Sequence, residues 1–419
     1  MRTRTMKLAV MTSLAGLLLA GCAGSAPGEG GSEDGRGPFT LARGKDTSGH
    51  FDEITKLWNK KHPDEKVNVI ELSEAADQQR ASMVQNLQAK SGKFDLLFTD
   101  VIWTAEFAAH GWIEPLDESR YPLDDMLAGP VKTGYYDGKL YALPYNSNGG
   151  LLFYRKDLVK EPPQTWDELV SSCTIAEQNN MDCYAGQHAK YEGLTVNVSE
   201  AIHAAGGRIL SDDGKQVLVD SPEAAEGLQF LVDGFQRGYI PKEAITYQEE
   251  QGRRAFQAGD LLYLRNWPYV YGLAQTEGGS KVKGKFGVAP LPASSGSGAS
   301  TLGGYNLALN KYSDAKASVQ DFMRFAVSEQ VQRMELTQQS HAPVIASLYD
   351  EPALAKKFPY LPTLKESIAT AEPRPVTPYY NEMTLAIEEE TYAALQGEKS
   401  VDEAQQDLKA ELERIVAES

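Results

Sequence analysis

The chain has 419 residues, of which 42% are hydrophobic and 24% charged, and a formal net charge of −17 at pH 7. That acidic balance argues against binding nucleic acid or anionic lipid through a basic patch. The length argues against one core, since single cores stop growing near about 250–300 residues.

Arg2, Arg4 and Lys7 give a positive start, and residues 8–20 form an apolar run of about a dozen residues. A transmembrane helix needs roughly 20, so the run reads as the core of a secretory signal peptide over residues 1–21. It ends in Leu19-Ala20-Gly21-Cys22, which resembles a bacterial lipobox. Cleavage before Cys22 and lipidation of its thiol are the expectation, and with them localisation on the outer face of the cytoplasmic membrane. Losing Arg2, Arg4 and Lys7 leaves a mature chain three charges more negative. Residues 22–37 hold almost nothing apolar and read as a flexible tether.

Further on, strands and helices alternate, which is the pattern of an α/β fold. A first strand is predicted over residues 39–42. A helix over 51–61 places Phe51, Ile54, Leu57 and Trp58 at helical spacing, and Val67, Val69 and Glu71 alternate as a strand. Residues 77–90 read as a helix with Ala81, Met83 and Leu87 on one stripe. Residues 94–98 form a short buried strand, and a helix follows over 104–109. Residues 131–144 are predicted as a hairpin turning at Asp137-Gly138, and 151–154 as a strand. Thr165 and Glu168 form a capping box at the start of a helix. Asp212-Asp213-Gly214 turns a second hairpin, and Ser221-Pro222 opens another helix. Residues 294–300 are a small-residue loop, 313–340 are helical, and the C-terminal third is mainly helical, ending in an amphipathic segment over 401–416.

Cysteine usage agrees with export. Beside Cys22 stand only Cys173 and Cys183, with nine residues between them. In an oxidising compartment they suit a short-loop disulfide worth roughly 2–3 kcal/mol. A zinc pair is the alternative, but no His or second Cys pair stands at ligand spacing.

Several segments occur together in one known family. They are Gly138-Lys139-Leu140-Tyr141-Ala142-Leu143-Pro144, Leu152-Phe153-Tyr154-Arg155-Lys156-Asp157-Leu158, Pro163-Gln164-Thr165-Trp166-Asp167-Glu168-Leu169, Ser221-Pro222-Glu223-Ala224 and Gly303-Gly304-Tyr305-Asn306-Leu307-Ala308. In this order the chain resembles extracellular solute-binding proteins of carbohydrate ABC importers, of the maltose-binding type, over roughly residues 38–419. Residues 100–107 and 374–380 resemble the branch that binds trehalose, maltose and related α-glucosides. The resemblance implies a two-lobed periplasmic-binding-protein-like α/β fold with hinge-linked discontinuous lobes and a ligand cleft between them. Lobe one is expected over 38–145 and 304–345, and lobe two over 146–303 and 346–419.

A sugar offers hydroxyls that want paired donors and acceptors, and C–H faces that want an apolar wall. Asp100 follows a strand, where open α/β sheets bind ligands; it suits vicinal hydroxyls or a helix cap. Trp103 faces either cleft or core. Asp46 and Asp77 stand near helix starts as hydroxyl partners or caps. Asn146 and Asn148 carry both donor and acceptor, though Asn also suits a turn. Glu249 and Glu250 open a helix, one of them a candidate contact. Trp267 ends a short strand and suits a stacking platform. Gly304 and Tyr305 lie at the family's second lobe crossing. Arg374, between two prolines, has a planar fork for two hydroxyls or for an ion pair with Glu372 or another lobe-two carboxylate. Tyr379 and its neighbour divide between cleft and core.

The expectation is a monomeric binding protein that captures an α-linked gluco-disaccharide and hands it to permease subunits, with no cofactor and no metal. Two rivals stand beside it: a secreted glycoside hydrolase, which needs two opposed carboxylates, and a binding protein for a non-sugar solute such as a polyamine.

Overall fold

A computed structural model of the protein describes residues 35–45, 51–211, 214–296 and 298–418. The first part of the chain runs β1 (Phe39–Gly44), α1 (Phe51–Lys61), β2 (Val67–Leu72), α2 (Ala76–Gln88), β3 (Leu96–Asp100), α3 (Thr104–Ala109) and α4 (Ala128–Thr133). Next come β4 (Tyr135–Tyr136), β5 (Lys139–Leu140), β6 (Ala142–Asn148), β7 (Leu151–Tyr154), α5 (Trp166–Gln178), β8 (Asp182–Ala185), α6 (Glu192–Ala204) and α7 (Pro222–Arg237). Then follow α8 (Glu249–Ala258), β9 (Leu261–Asn266), α9 (Tyr269–Thr276), β10 (Gly287–Ala289) and β11 (Gly303–Leu309). Six helices close the chain: α10 (Lys316–Ala326), α11 (Glu329–Gln339), α12 (Pro352–Lys357), α13 (Leu361–Ala369), α14 (Tyr380–Gln396) and α15 (Val401–Glu418).

Two sheets make the two lobes. The first has the order β2-β1-β3-β11-β6 and the second β10-β7-β9-β8. The chain passes from the first sheet to the second between Asn148 and Leu151, and back between Ala289 and Gly303. In the first sheet β1 lies parallel to both β2 and β3, with α1 and α2 as crossovers, as parallel pairing requires. β3 is central and covered on both faces, so its Leu-Leu-Phe-Thr run is buried without alternation.

Local signals read from the sequence explain many element ends. Thr165 and Glu168 do form a capping box on α5. Ser221 caps α7, with Pro222 at its start. Asp137 and Gly138 both take positive φ, 46° and 71°, as a two-residue turn between right-twisted strands demands. The hairpin there is shorter than predicted, because residues 128–133 wind into α4. On α2, Met83 and Leu87 are buried as expected, but Ala81 is exposed. Asp212 and Asp213 lie outside the described residues; Leu210 and Val217 bridge on either side of them. Cys173 on α5 and Cys183 on β8 are joined by a disulfide, the first of the two expectations for this pair.

Candidate functional site

The carboxyl end of β3 delivers Asp100 to the edge of the first sheet. Across the antiparallel pair, Tyr305 stands opposite Asp100, and Tyr305 pairs in turn with Asn146 on β6. Residues directly opposite share a face, so three polar side chains form a row at one rim. The row is tied together: the Tyr305 backbone N–H donates to Asn146 Oδ1 at 2.8 Å. Gly304, with φ at 129°, holds this crossing. A Cβ there would lie 2.4 Å from the Asn146 carbonyl oxygen, so no larger residue fits.

A cavity of about 230 Å³ lies between this rim and the second lobe. Asp100, Asn146, Asn148, Glu249, Glu250, Trp267, Gly304, Tyr305 and Arg374 all line it. From the second lobe, Trp267 follows the last residue of β9. The Arg265 guanidinium sits 4.0 Å from the centre of the Trp267 ring and so occupies one of its faces. Arg265 is itself fixed by a two-point ion pair with Glu200, at 2.6 and 2.5 Å. The Trp267 ring is therefore braced on one face where it lines the cavity.

The two adjacent glutamates separate by their partners. Glu250 accepts from Arg253 at 3.0 and 2.7 Å and from the Tyr269 hydroxyl at 2.8 Å, so its oxygens serve the protein. Burial pushes the Glu249 carboxyl above the usual range, while its own backbone N–H, the Tyr191 hydroxyl, Arg265 and Trp267 work against that rise.

Arg374 departs from the hydroxyl fork expected of it. Its side chain is 1% exposed; Nη2 donates to Asp100 Oδ1 at 2.9 Å and Nη1 to Glu192 Oε1 at 2.6 Å. The ion-pair alternative holds, with Glu192 rather than Glu372 as partner. Glu192 also accepts from the Tyr380 hydroxyl at 2.5 Å and the Thr384 hydroxyl at 2.8 Å. Burial nonetheless pushes its carboxyl up to about 7; Arg374 opposes the rise and Asp100 adds to it.

Three expected contacts lie elsewhere. Trp103 is in the core, 3% exposed and stacked on Phe107, because the turn after Asp100 carries the ring under the sheet. Asp77 does not line the cavity. It sits on the first turn of α2 and accepts from the backbone N–H of Glu192 at the start of α6. Tyr379 stops short of the cavity because it precedes α14 and packs on the core. Asp46 lies outside the described residues, although its neighbours Gly44 and Lys45 line the cavity.

Sequence reading missed Arg43, Gln79, Tyr191 and Glu192 as lining residues. Arg43 stands near the carboxyl end of β1, so the rule that found Asp100 would have found it too. For Tyr191 the signal is Gly193, where a Cβ would meet the Tyr191 ring at 2.2 Å.

A cleft between two α/β lobes, furnished from both with carboxylates, amides and a braced indole, defines a two-lobed solute-binding protein. The model of the bacterial extracellular solute-binding protein family matches residues 44–333, and the chain belongs to that family. A probable ABC transporter-binding protein of Deinococcus radiodurans is 33% identical over 385 residues, spanning 87% of this chain and 90% of that one. A mannitol-binding protein of Pseudomonas aeruginosa is 27% identical over 385 residues, covering 84% and 86%. Among solved structures, maltose-bound MalE3 of T. maritima aligns with a TM-score of 0.85 at 32% identity, covering 90% of this chain and 99% of that one. Among the described residues, no helix is long and apolar enough to cross a membrane.

Proposed function

We propose that this protein captures an α-linked gluco-disaccharide of the trehalose or maltose class between its lobes and delivers it to an ABC importer. The observation that carries the reading is the opposition across one cavity of the Asp100, Asn146 and Tyr305 row to Glu249 and Trp267. That set offers acceptors and donors for vicinal hydroxyls and an apolar wall for ring C–H groups. Maltose in the structurally similar MalE3 supports the sugar class. The likeness to a mannitol-binding protein supports a second reading, a polyol, which needs the same hydroxyl chemistry without a stacked ring.

The expected setting is a monomer held to the membrane through lipid on Cys22, which lies outside the described residues, working with permease subunits. The lobes divide near residues 145 and 303 in this proposal, with a last return near 345.

Titration calorimetry against trehalose, maltose, maltotriose, mannitol, sucrose and putrescine tests it. Micromolar binding of one α-glucoside supports the disaccharide reading, whereas binding of mannitol alone replaces it with the polyol. Glucose released from trehalose or maltose during incubation would overturn the binding-protein reading in favour of a hydrolase.

A further inference from the structure

Asp77 of the first lobe meets Glu192 and Glu388 of the second, and a carboxylate oxygen from each lies within 4.8 Å of the others. α14, which carries Glu388, packs on α6 and α7 of the second lobe. The charged and titratable groups facing this trio come from every neighbouring element. Arg80 shares α2, Asp100 ends β3, Lys190 precedes α6, and Arg374 and Tyr380 lead into and begin α14. The cations among them are already engaged: Arg374 with Asp100 and Glu192, Arg80 with Glu106, and Lys190 with Glu389. Among the described residues, Arg374 is the one cation of these that bonds any of the three carboxyls, at Glu192; the remaining donors are neutral, the Tyr380 and Thr384 hydroxyls to Glu192, the Thr384 hydroxyl to Glu388 and the Glu192 backbone N–H to Asp77.

We propose that closure of the two lobes takes up a proton, because it presses Asp77, which is not itself buried, against the buried pair Glu192 and Glu388 in a space short of positive charge. The inference rests on the proposed capture of ligand between the lobes, and takes that capture to bring them together. Three carboxyls at this spacing cannot all ionise at ordinary cost, since each charge repels the next and desolvation penalises the charged forms, the two buried glutamates above all. One proton shared in the cluster relieves the repulsion and supplies a donor between oxygens. Burial, Asp77 and Glu192 together push Glu388 up to about 8, and Glu192 is up to about 7.

The sign follows from linkage. With the lobes apart, Asp77 leaves the cluster and Glu388 loses one of the charges that raise its carboxyl, so its affinity for a proton falls. The closed form thus binds the proton more tightly than the open form. Its advantage is full below the open-form value of Glu388 and is lost as pH rises through the closed-form value of about 8.

Small-angle X-ray scattering of the sugar-free protein between pH 5.5 and 9, with chelator present, tests this without assuming any ligand. The radius of gyration should rise with pH, and Glu388→Gln and Asp77→Asn should each hold the compact value at pH 9. The substitutions remove charge from opposite lobes, so misfolding of one leaves the other to decide. A radius independent of pH in the unaltered protein overturns the proposal, as does an unchanged pH response in a folded variant. Compaction by calcium, with none by acid, overturns it too. Because no sugar is present, failure of the α-glucoside reading would leave this result unaffected.

Discussion

Arg374 joins the two lobes through one guanidinium, bonding Asp100 at the end of β3 and Glu192 at the start of α6. The bond to Asp100 spans 274 residues of sequence and the bond to Glu192 spans 182. The ligand rim and the lobe contact therefore share Asp100. A hydroxyl that approaches Asp100 meets a carboxylate already oriented by Arg374 and by the backbone N–H of Ile102 at 3.2 Å.

Removing Arg374 leaves Glu192 buried with its countercharge gone. Breaking a buried pair by deleting one partner costs about 3–5 kcal/mol, most of it the stranded charge. Arg374→Ala should lower unfolding free energy by that order and weaken sugar binding by about 2–4 kcal/mol. Denaturant titration and calorimetry read the two effects separately. Partial rescue of stability by adding Glu192→Gln would identify the stranded carboxylate as the cause, and no rescue would point to lost packing instead.

Trp267 presents a different balance. It is half-buried, with Arg265 over one face of its ring and its edge so near Gly303 that a Cβ there would lie 2.9 Å from it. Trp267→Ala is expected to cut ligand affinity by about 1–3 kcal/mol while costing less in stability than a core aromatic, for which truncation costs about 3–5 kcal/mol. A thermal melt lowered as much as for Phe153→Ala, a fully buried aromatic of the second lobe, would show that the indole is core.

Glu249 and Glu250 should respond in opposite ways to the same change. Glu250→Gln breaks a two-point bond with Arg253 and should be read as lost stability, about 1–3 kcal/mol, with affinity little altered. Glu249→Gln should lower affinity about tenfold and leave the melt near its starting value, since its carboxylate takes neutral donors, its own backbone N–H, the Tyr191 hydroxyl and the Trp267 indole, which an amide oxygen can also accept from. Calorimetry and melting of both variants decide it; reversed outcomes would reassign the ligand contact to Glu250.

The division between what was legible and what was not follows range of interaction. The Thr165 capping box, the Asp137-Gly138 turn and the Pro222 helix start depend on neighbours within four residues, so the chain displays them locally. Asp100 and Trp267 were legible because strand ends point to a crevice in any open α/β sheet. Trp103 and Tyr379 failed because tertiary packing decides between cleft and core: Trp103 is buried against Phe107, and neither Tyr379 nor its neighbour lines the cavity. Tyr380, one position on, is 1% exposed and bonds Glu192. Asp77 failed for another reason: its partner is a backbone N–H of the other lobe, which no local pattern announces.

The disulfide between Cys173 and Cys183 fastens α5 to β8, the edge strand of the second sheet. A ten-residue separation closes a small loop, so the entropy removed from the unfolded chain is modest and the expected contribution is about 2–3 kcal/mol. Neither cysteine lines the cavity; β8 lies beside β9, which leads to Trp267, and is followed by the segment carrying Tyr191 and Glu192. Reduction, or replacement of both cysteines by alanine, should therefore lower the denaturation midpoint while sugar affinity at 25 °C stays within about twofold. Denaturant titration with and without reductant, followed by calorimetry on the reduced protein, tests this. A large affinity loss in reduced but folded protein would mean that the edge of the second sheet positions Trp267, and that the bond acts on binding rather than only on stability.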